Sequence, residues 1–125
     1  MTASDNGRRM LQIAAAAADS KGGEDLVALD VSQPLPLVDI FLLVTGRSER
    51  NVAAIADEIE DRLLEAGFKR LRREGRNEAR WILLDFGDLV VHVFHEQERV
   101  FYGLERLWKD CPVVPIELPA RAQAE

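Results

Sequence analysis

The stretch from residue 80 to residue 94 constrains the fold most, because it is typical of two β-strands joined by the tight turn DFGD. Gly87 in this turn can adopt the positive φ that short hairpin connections require. Strand residues two and four positions apart share one face, so Trp81, Leu83 and Asp85 lie in a row on the same face. An indole, an aliphatic side chain and a carboxylate on one face favour a docking surface for a basic protein over an active site.

The size and composition of the chain predict one soluble domain with a single core. It has 125 residues, of which 47% are hydrophobic and 30% are charged. Arg8 and Arg9 precede an apolar run, but Asp5, Gln12 and the lack of a cleavage site argue against a signal peptide, and no apolar run is long enough to span a membrane. The lone Cys111 excludes an internal disulfide, which suits the cytoplasm. We expect neither a metal nor a cofactor, since one Cys and two His cannot build a structural zinc site.

The charge balance argues against a general nucleic-acid binder and fits a basic protein partner. The formal net charge is −6, whereas phosphate-backbone binders carry clustered Lys and Arg. One local basic cluster precedes the hairpin and consists of Lys69, Arg70, Arg72, Arg73, Arg76 and Arg80. Glu74 and Glu78 interrupt it and no aromatic residue is interleaved, so we interpret it as a solvated strand edge.

The hydrophobic periodicity predicts the element order α-β-β-α-β-β-β-α. The expected segments are a helix at 8–20, strands at 26–31 and 39–45, a helix from the cap Ser48 to Gly67, a strand at 68–74, the hairpin, and a helix at 95–109. The fold class is α/β, a single mixed sheet of about five strands flanked by helices. The domain spans residues 1–110, and the proline-containing tail at 111–125 is expected to be poorly ordered.

Two alternatives for catalytic chemistry arise in the strands. Asp85 and a further carboxylate at Asp39 or Asp30 would be the minimum for a metal-dependent nucleotidyltransferase. Asp88 is explained by the turn itself, where Asp accepts hydrogen bonds from backbone N–H groups. We interpret His92 as a satisfied polar residue and not as a base, since no nucleophile is evidently paired with it.

Several motifs, taken together and in order, resemble one known family. The sequence WILLDFGDLVVHVF begins at Trp81 and is followed by RVFYGLERLW from Arg99. Upstream stand LDV at 29–31, DIF at 39–41, TGRS at 45–48, IAD at 55–57 and GRN at 75–77. Over residues 8–110 the chain resembles the ribosomal silencing factor family, RsfS, also called Iojap.

The resemblance implies an α/β fold related in topology to nucleotidyltransferases, without their catalytic carboxylates, and therefore no enzyme activity. It implies binding to large-subunit ribosomal protein fourteen on the face of the large subunit that meets the small subunit. A factor bound there blocks subunit joining and lowers translation when nutrients are scarce. Members of the family are often homodimers when free, and a homodimeric scaffold with another client is the remaining alternative.

The resemblance also suggests which residues meet the ribosomal protein. The expected contact residues are Glu74, Trp81, Ile82, Leu84, Asp85 and Phe86. Trp81 would be the anchor, since Trp is the residue most enriched in interface hot spots. Asp85 and Glu74 would pair with basic side chains, and the other three would supply apolar area. Phe86 stands where many relatives carry Tyr or Leu, so it offers no hydroxyl. Which face of the strand carries the contact stays open, because Trp81 and Leu84 point to opposite sides.

Overall fold

The computed structural model describes residues 4–35, 37–75, 80–97 and 110–118. Within these ranges the chain forms two helices and five strands. In chain order they are α1 (Asp5–Ser20), β1 (Glu24–Asp30), β2 (Ile40–Gly46), α2 (Glu49–Glu65), β3 (Arg72–Glu74), β4 (Trp81–Asp85) and β5 (Leu89–His95).

The five strands form one mixed sheet, which confirms the predicted α/β fold class. Their order across the sheet is β1-β2-β5-β4-β3. The central pair, β2 and β5, is parallel, and the other three pairs are antiparallel. All seven residues of β2 are buried, as its nearly continuous apolar sequence predicts for a strand covered on both faces.

Both helices lie on one face of the sheet. The stripe of α2 is buried as its spacing predicts and consists of Val52, Ile55, Ala56, Ile59 and Leu63. The Ser48 hydroxyl caps this helix by accepting from the backbone N–H of Asn51 at 3.0 Å. Helix α1 begins at Asp5, three residues earlier than expected, because the Ser4 hydroxyl caps it by accepting from the Gly7 N–H at 3.0 Å.

A second apolar layer covers the opposite face of the sheet. It contains Leu29, Val31, Phe41, Leu43, Val90 and Phe94, with Trp81 and Leu83 packed against it. The sheet is therefore apolar on both faces, whereas the apolar stripes of the helices predicted only the face that the helices cover.

The structure bears on three further expectations from the sequence. The strand expected at 68–74 is limited to Arg72–Glu74, because the Phe68 N–H donates to the Leu63 carbonyl at 2.8 Å and so completes the end of α2. Residue 95 ends β5, and most of the helix expected at 95–109 lies outside the described residues. Residues 112–114 pair with β1, where the Asp30 N–H donates to the Pro112 carbonyl at 2.8 Å, and the expectation of a poorly ordered tail stays a prediction. Residues 119–125 lie outside the described ranges, and the boundary at residue 110 stays a prediction.

Gly46 ends β2 at a point where the backbone of α2 approaches closely. A Cβ added at this position would lie 2.7 Å from Val52 Cγ2 and 3.0 Å from the Val52 backbone nitrogen. Val52 is fully buried and cannot give way. We expect Gly46→Ala to lower the free energy of unfolding by ~1–3 kcal/mol through overpacking, measured by urea denaturation. The control is Asp61→Ala on the exposed side of α2, which should stay within about 0.5 kcal/mol. Equal midpoints for both variants would contradict the close approach.

Candidate protein-docking site

Strand β4 separates the predicted contact residues onto two faces. Trp81, Leu83 and Asp85 are half-buried, and the residues between them are buried. The register of β3 against β4 puts Arg72 opposite Asp85 and Glu74 opposite Leu83. Paired residues of antiparallel strands share a face, so these five side chains form one patch, here called the β4 surface. The prediction that Trp81 and Asp85 share a face is thus confirmed.

The other three predicted contact residues lie in the helix-side core. Ile82, Leu84 and Phe86 belong to the cluster that packs with α1 and α2. Leu84 has no exposed area, and Ile82 and Phe86 are 3% and 7% exposed. They offer almost no surface, so their predicted contribution of apolar contact area to a partner stays a prediction. Their contribution is to hold β4 on the helices, with its other face outward.

Trp81 is held against the sheet by aromatic neighbours and one hydrogen bond. Its ring centroid lies 5.0 Å from that of Phe94 in a tilted arrangement. Its indole N–H donates to His92 Nδ1 at 3.3 Å. With its N–H used inside the protein, Trp81 presents mainly its ring to a partner. Because two neighbours fix this ring before binding, little rotamer freedom is left to lose.

His92 lies beneath Trp81, and its contact with the indole was not predicted from the sequence. Its ring is 6% exposed and meets Phe41 edge-on at 4.9 Å between centroids. Nδ1 accepts from Trp81, which assigns the ring proton of the neutral form to Nε2. Nε2 has no hydrogen-bond partner in the described part of the chain. The interpretation of His92 as a fully satisfied polar residue was therefore wrong, because only one of its ring nitrogens is paired.

The acidic side of the β4 surface is built around Asp85. One carboxylate oxygen accepts from the Gly87 N–H at 2.8 Å, and Gly87 adopts the positive φ of +89° expected of the turn. The other oxygen lies 3.8 Å from an Arg72 guanidinium nitrogen. Arg72 also pairs with Glu74 at 3.2 Å. Two carboxylates and one guanidinium give the β4 surface one net negative charge. The position of Arg72 beside Asp85 was not predictable from the sequence, because only the strand register places it there.

Three of the neighbouring basic residues form ion pairs with α2. Arg70 contacts Glu60 at 2.7 Å, and Arg73 contacts Glu60 at 2.8 Å and Asp57 at 3.0 Å. These pairs fasten the β3 edge to the helix and agree with the interpretation of the cluster as a strand edge and not as an RNA patch. Arg80 is likewise paired, with Glu49 of α2 at 3.3 Å.

The strand carboxylates invoked for nucleotidyl transfer are engaged separately. Asp39 accepts from the Ser4 N–H at 3.0 Å, and Asp30 accepts from the Ser32 N–H and hydroxyl at 3.0 and 2.6 Å. Asp85 closes its own turn, as described above. Among residues 4–35, 37–75, 80–97 and 110–118, no three His, Cys, Asp or Glu residues group so as to hold a metal ion. Neither described helix has the length and apolar character needed to cross a membrane.

Comparison with known proteins identifies the family from the sequence. The family described as "Ribosomal silencing factor during starvation" matches residues 4–125. The ribosomal silencing factor RsfS of Bacillus subtilis is 47% identical over 112 residues, which cover 90% of this chain and 95% of that protein. The chloroplastic protein Iojap of Zea mays is 33% identical over 115 residues, 92% of this chain and 49% of that longer protein.

Two solved structures share the fold. A crystal structure of a Bacillus halodurans protein has a TM-score of 0.77 and 44% identity, covering 87% of this chain and 99% of its own. An X-ray structure of a Chromobacterium violaceum protein has a TM-score of 0.79 and 32% identity, covering 94% of this chain and 92% of its own. Fold and likeness together define a small α/β protein of translation regulation. The chain belongs to the ribosomal silencing factor family.

The state of His92 predicts a pH dependence of stability. Burial lowers the pKa of His92 from 6.5 to about 4. Between these values the unfolded chain binds a proton that the folded chain does not, so stability is full above the unfolded pKa and falls as the pH drops toward 4. We expect the contribution of His92 to lower the free energy of unfolding by ~2 kcal/mol from pH 8 to pH 5, measured by urea denaturation.

The matched comparison is His92→Phe, measured over the same pH range. Its absolute stability differs for other reasons, since Trp81 loses an acceptor, but its pH slope should be shallower by the amount that His92 contributes. Identical slopes for the two proteins would show that His92 does not titrate as its burial implies.

Proposed function

We propose that the chain binds large-subunit ribosomal protein fourteen through the β4 surface and blocks the joining of the ribosomal subunits. It thereby represses translation, notably when nutrients are limiting. Membership of the ribosomal silencing factor family supports a role at the ribosome. The observation that carries the choice of surface is the ring of Trp81, half-buried on a rigid strand and held by His92 and Phe94.

The mechanism is steric and needs no chemical step. A domain of this size has a radius of gyration of roughly 13 Å and is thus about 30 Å across. A body that wide, bound where the two subunits meet, keeps their surfaces apart. Repression then depends on how tightly the factor binds and how long it stays, so the quality of the anchor decides the outcome.

The apolar part of the contact comes from Trp81 and Leu83. Both are half-buried on the outward face, while Ile82, Leu84 and Phe86 are enclosed by the helices. Trp81 combines a large ring with a fixed orientation, which is the usual character of an interface hot spot.

Charge directs the encounter with a basic ribosomal protein. The β4 surface has one net negative charge from Glu74, Arg72 and Asp85, and the whole chain has a net charge of −6. Opposite potentials raise the association rate more than they raise the affinity. Arg72 lies between the two carboxylates, so a partner cation must compete with it for them.

The proposal includes a cytoplasmic location and a homodimeric free form. The single Cys111 suits a reducing compartment. If the dimer covers the β4 surface, dissociation of the dimer precedes binding to the ribosome, and silencing then depends on protein concentration.

Removal of the Trp81 ring should weaken binding to the large subunit. We expect Trp81→Ala to raise the dissociation constant by roughly 30-fold or more, about 2 kcal/mol, measured with purified, salt-washed large subunits by cosedimentation. Leu37→Ala is the control, because Leu37 is an exposed apolar residue, 85% accessible, in the connection before β2. Circular dichroism establishes that each variant is folded.

The same proteins test the function itself. Purified subunits are mixed with increasing amounts of the chain, and joining is followed by gradient sedimentation. The unmodified chain and Leu37→Ala should suppress formation of the joined particle. Trp81→Ala should require a higher concentration, raised by about the same factor as its dissociation constant. Undiminished joining at saturating dose would refute the steric proposal. Normal binding by folded Trp81→Ala would refute the choice of surface.

Asp85 should act mainly on the rate of association. Because its carboxylate also closes the hairpin turn, the charge is best removed by Asp85→Asn, which keeps an oxygen to accept from Gly87. We expect the association rate to fall several-fold at low salt and much less at high salt, measured by stopped-flow. Asp61→Asn removes the same charge from the exposed side of α2 and should leave the rate nearly unchanged. Equal effects of the two substitutions would mean that only the net charge matters.

A further inference from the structure

The segment after residue 110 pairs with the outer edge of β1 through one isolated β-bridge. Val113 pairs with Leu29 in antiparallel fashion. The Asp30 N–H donates to the Pro112 carbonyl at 2.8 Å, and the Val114 N–H donates to the Ala28 carbonyl at 2.9 Å. This segment, residues 112–118, is here called the strap.

Side chains of the strap alternate between the core and solvent. Val114 is 4% exposed and belongs to the helix-side core, and Ile116 packs partly buried against the same cluster. On the other side of the strap, Val113 is 71% exposed and Pro115 is exposed as well. The strap thus inserts apolar side chains two positions apart, the pattern by which an added strand is recognised at a sheet edge.

Helix α1 also contacts the strap, through the side chain of Gln12. Gln12 Nε2 donates to the Pro115 carbonyl at 3.1 Å, and Gln12 Oε1 accepts from the Glu117 N–H at 2.9 Å. A single amide therefore satisfies one acceptor and one donor of the strap backbone. These contacts recognise an extended backbone, while the position of Val114 selects a small apolar side chain.

Pro115 limits further pairing on the outer side of the strap. The backbone groups of Val114 point toward β1, so those of the next residue point away from it. Pro115 has no N–H, and its position therefore presents no donor to another strand. Pro115 therefore makes this part of the strap a poor template for a further strand.

We propose that the β1 edge and Gln12 form a strand-binding site, which the chain fills with its own strap and which the strap of a second copy can also fill. The second copy is the occupant that the structure supports, because every copy carries the one segment known to fit. The inference does not depend on the ribosomal proposal, since β1 and β3 lie at opposite edges of the sheet.

A peptide tests the site directly. The probe is a fluorescent peptide of residues 110–118, titrated into the full chain carrying Val114→Asp, whose own strap is weakened by a carboxylate in the apolar position. We expect saturable binding, with the unmodified chain binding less because its own strap competes at high effective concentration. A peptide with Val113→Asp should bind within about threefold of the parent, and one with Val114→Asp at least about tenfold more weakly. No binding, or equal binding of both substituted peptides, overturns the proposal.

Two full chains test exchange between copies. The Val114→Asp chain has a weakened strap and an intact site, whereas Gln12→Ala has an intact strap and a weakened site. Mixed together, they should form a heteromer detected by sedimentation velocity, at least about tenfold tighter than the mixture of Val113→Asp with Gln12→Ala. Equal heteromer formation by the two mixtures would remove the second copy as occupant.

Hydrogen exchange on the unmodified chain gives an answer even if Val114→Asp does not fold. The strap must open while the sheet stays closed, so the amide of Val114 should exchange at least about tenfold faster than those inside β2. Protection of Val114 equal to that of the β2 amides would mean that the strap leaves only on global unfolding, and the proposal would fail.

Discussion

The parallel pairing of β2 with β5 is the constraint on which the rest of the molecule depends. It runs without a break from Ile40 opposite Leu89 to Gly46 opposite His95, and nearly every residue in it is buried. A parallel pair needs a long connection, and here the connection includes α2, β3 and β4. With β5 fixed against β2, the hairpin must place β4 on the other side of β5. The candidate docking strand is therefore held by the most deeply buried pair of strands in the sheet.

This arrangement explains why the same short strand serves both the core and the surface. Ile82 and Leu84 fill the helix side, and Trp81 and Leu83 cover the aromatic side chains on the other side. His92 occupies the position opposite Leu83 and accepts the hydrogen bond from Trp81. A buried imidazole with one unpaired nitrogen costs on the order of 1–3 kcal/mol relative to a satisfied group. The structure retains it beneath the side chain that is best placed to meet a partner, and there it fixes the orientation of the indole.

The two edges of the sheet are protected in different ways. At one edge, β3 has only three residues, and Arg72 and Glu74 line its outward face while Arg73 fastens it to α2. At the other edge, β1 is longer and the strap covers its last three residues. Short, charged strands and covered strands are both known protections against edge-to-edge association. The charged edge leaves the β4 surface open to another protein, whereas the covered edge is opened only by displacement of the strap.

The sequence by itself determined the periodic elements and the face relationships inside them. The stripe of α2, the buried character of β2, the turn at Gly87 and the common face of Trp81 and Asp85 all follow from local spacing and backbone chemistry. The motifs were also sufficient to identify the family. Such features need only neighbours within a few residues, so no tertiary information was required to find them.

Only the tertiary structure decided which face of β4 is covered and which residues from distant segments join it. Alternation showed that Trp81 and Leu84 point in opposite directions, but not which of them meets the helices. The register of three strands placed Arg72 beside Asp85 and His92 beside Trp81, and long-range pairing brought residues 112–114 to β1. The contacts of the strap could not be read from its prolines, because local propensity does not include the core that receives Val114 or the amide that Gln12 provides. These outcomes depend on contacts between residues far apart in sequence, and no local pattern in a single chain records them.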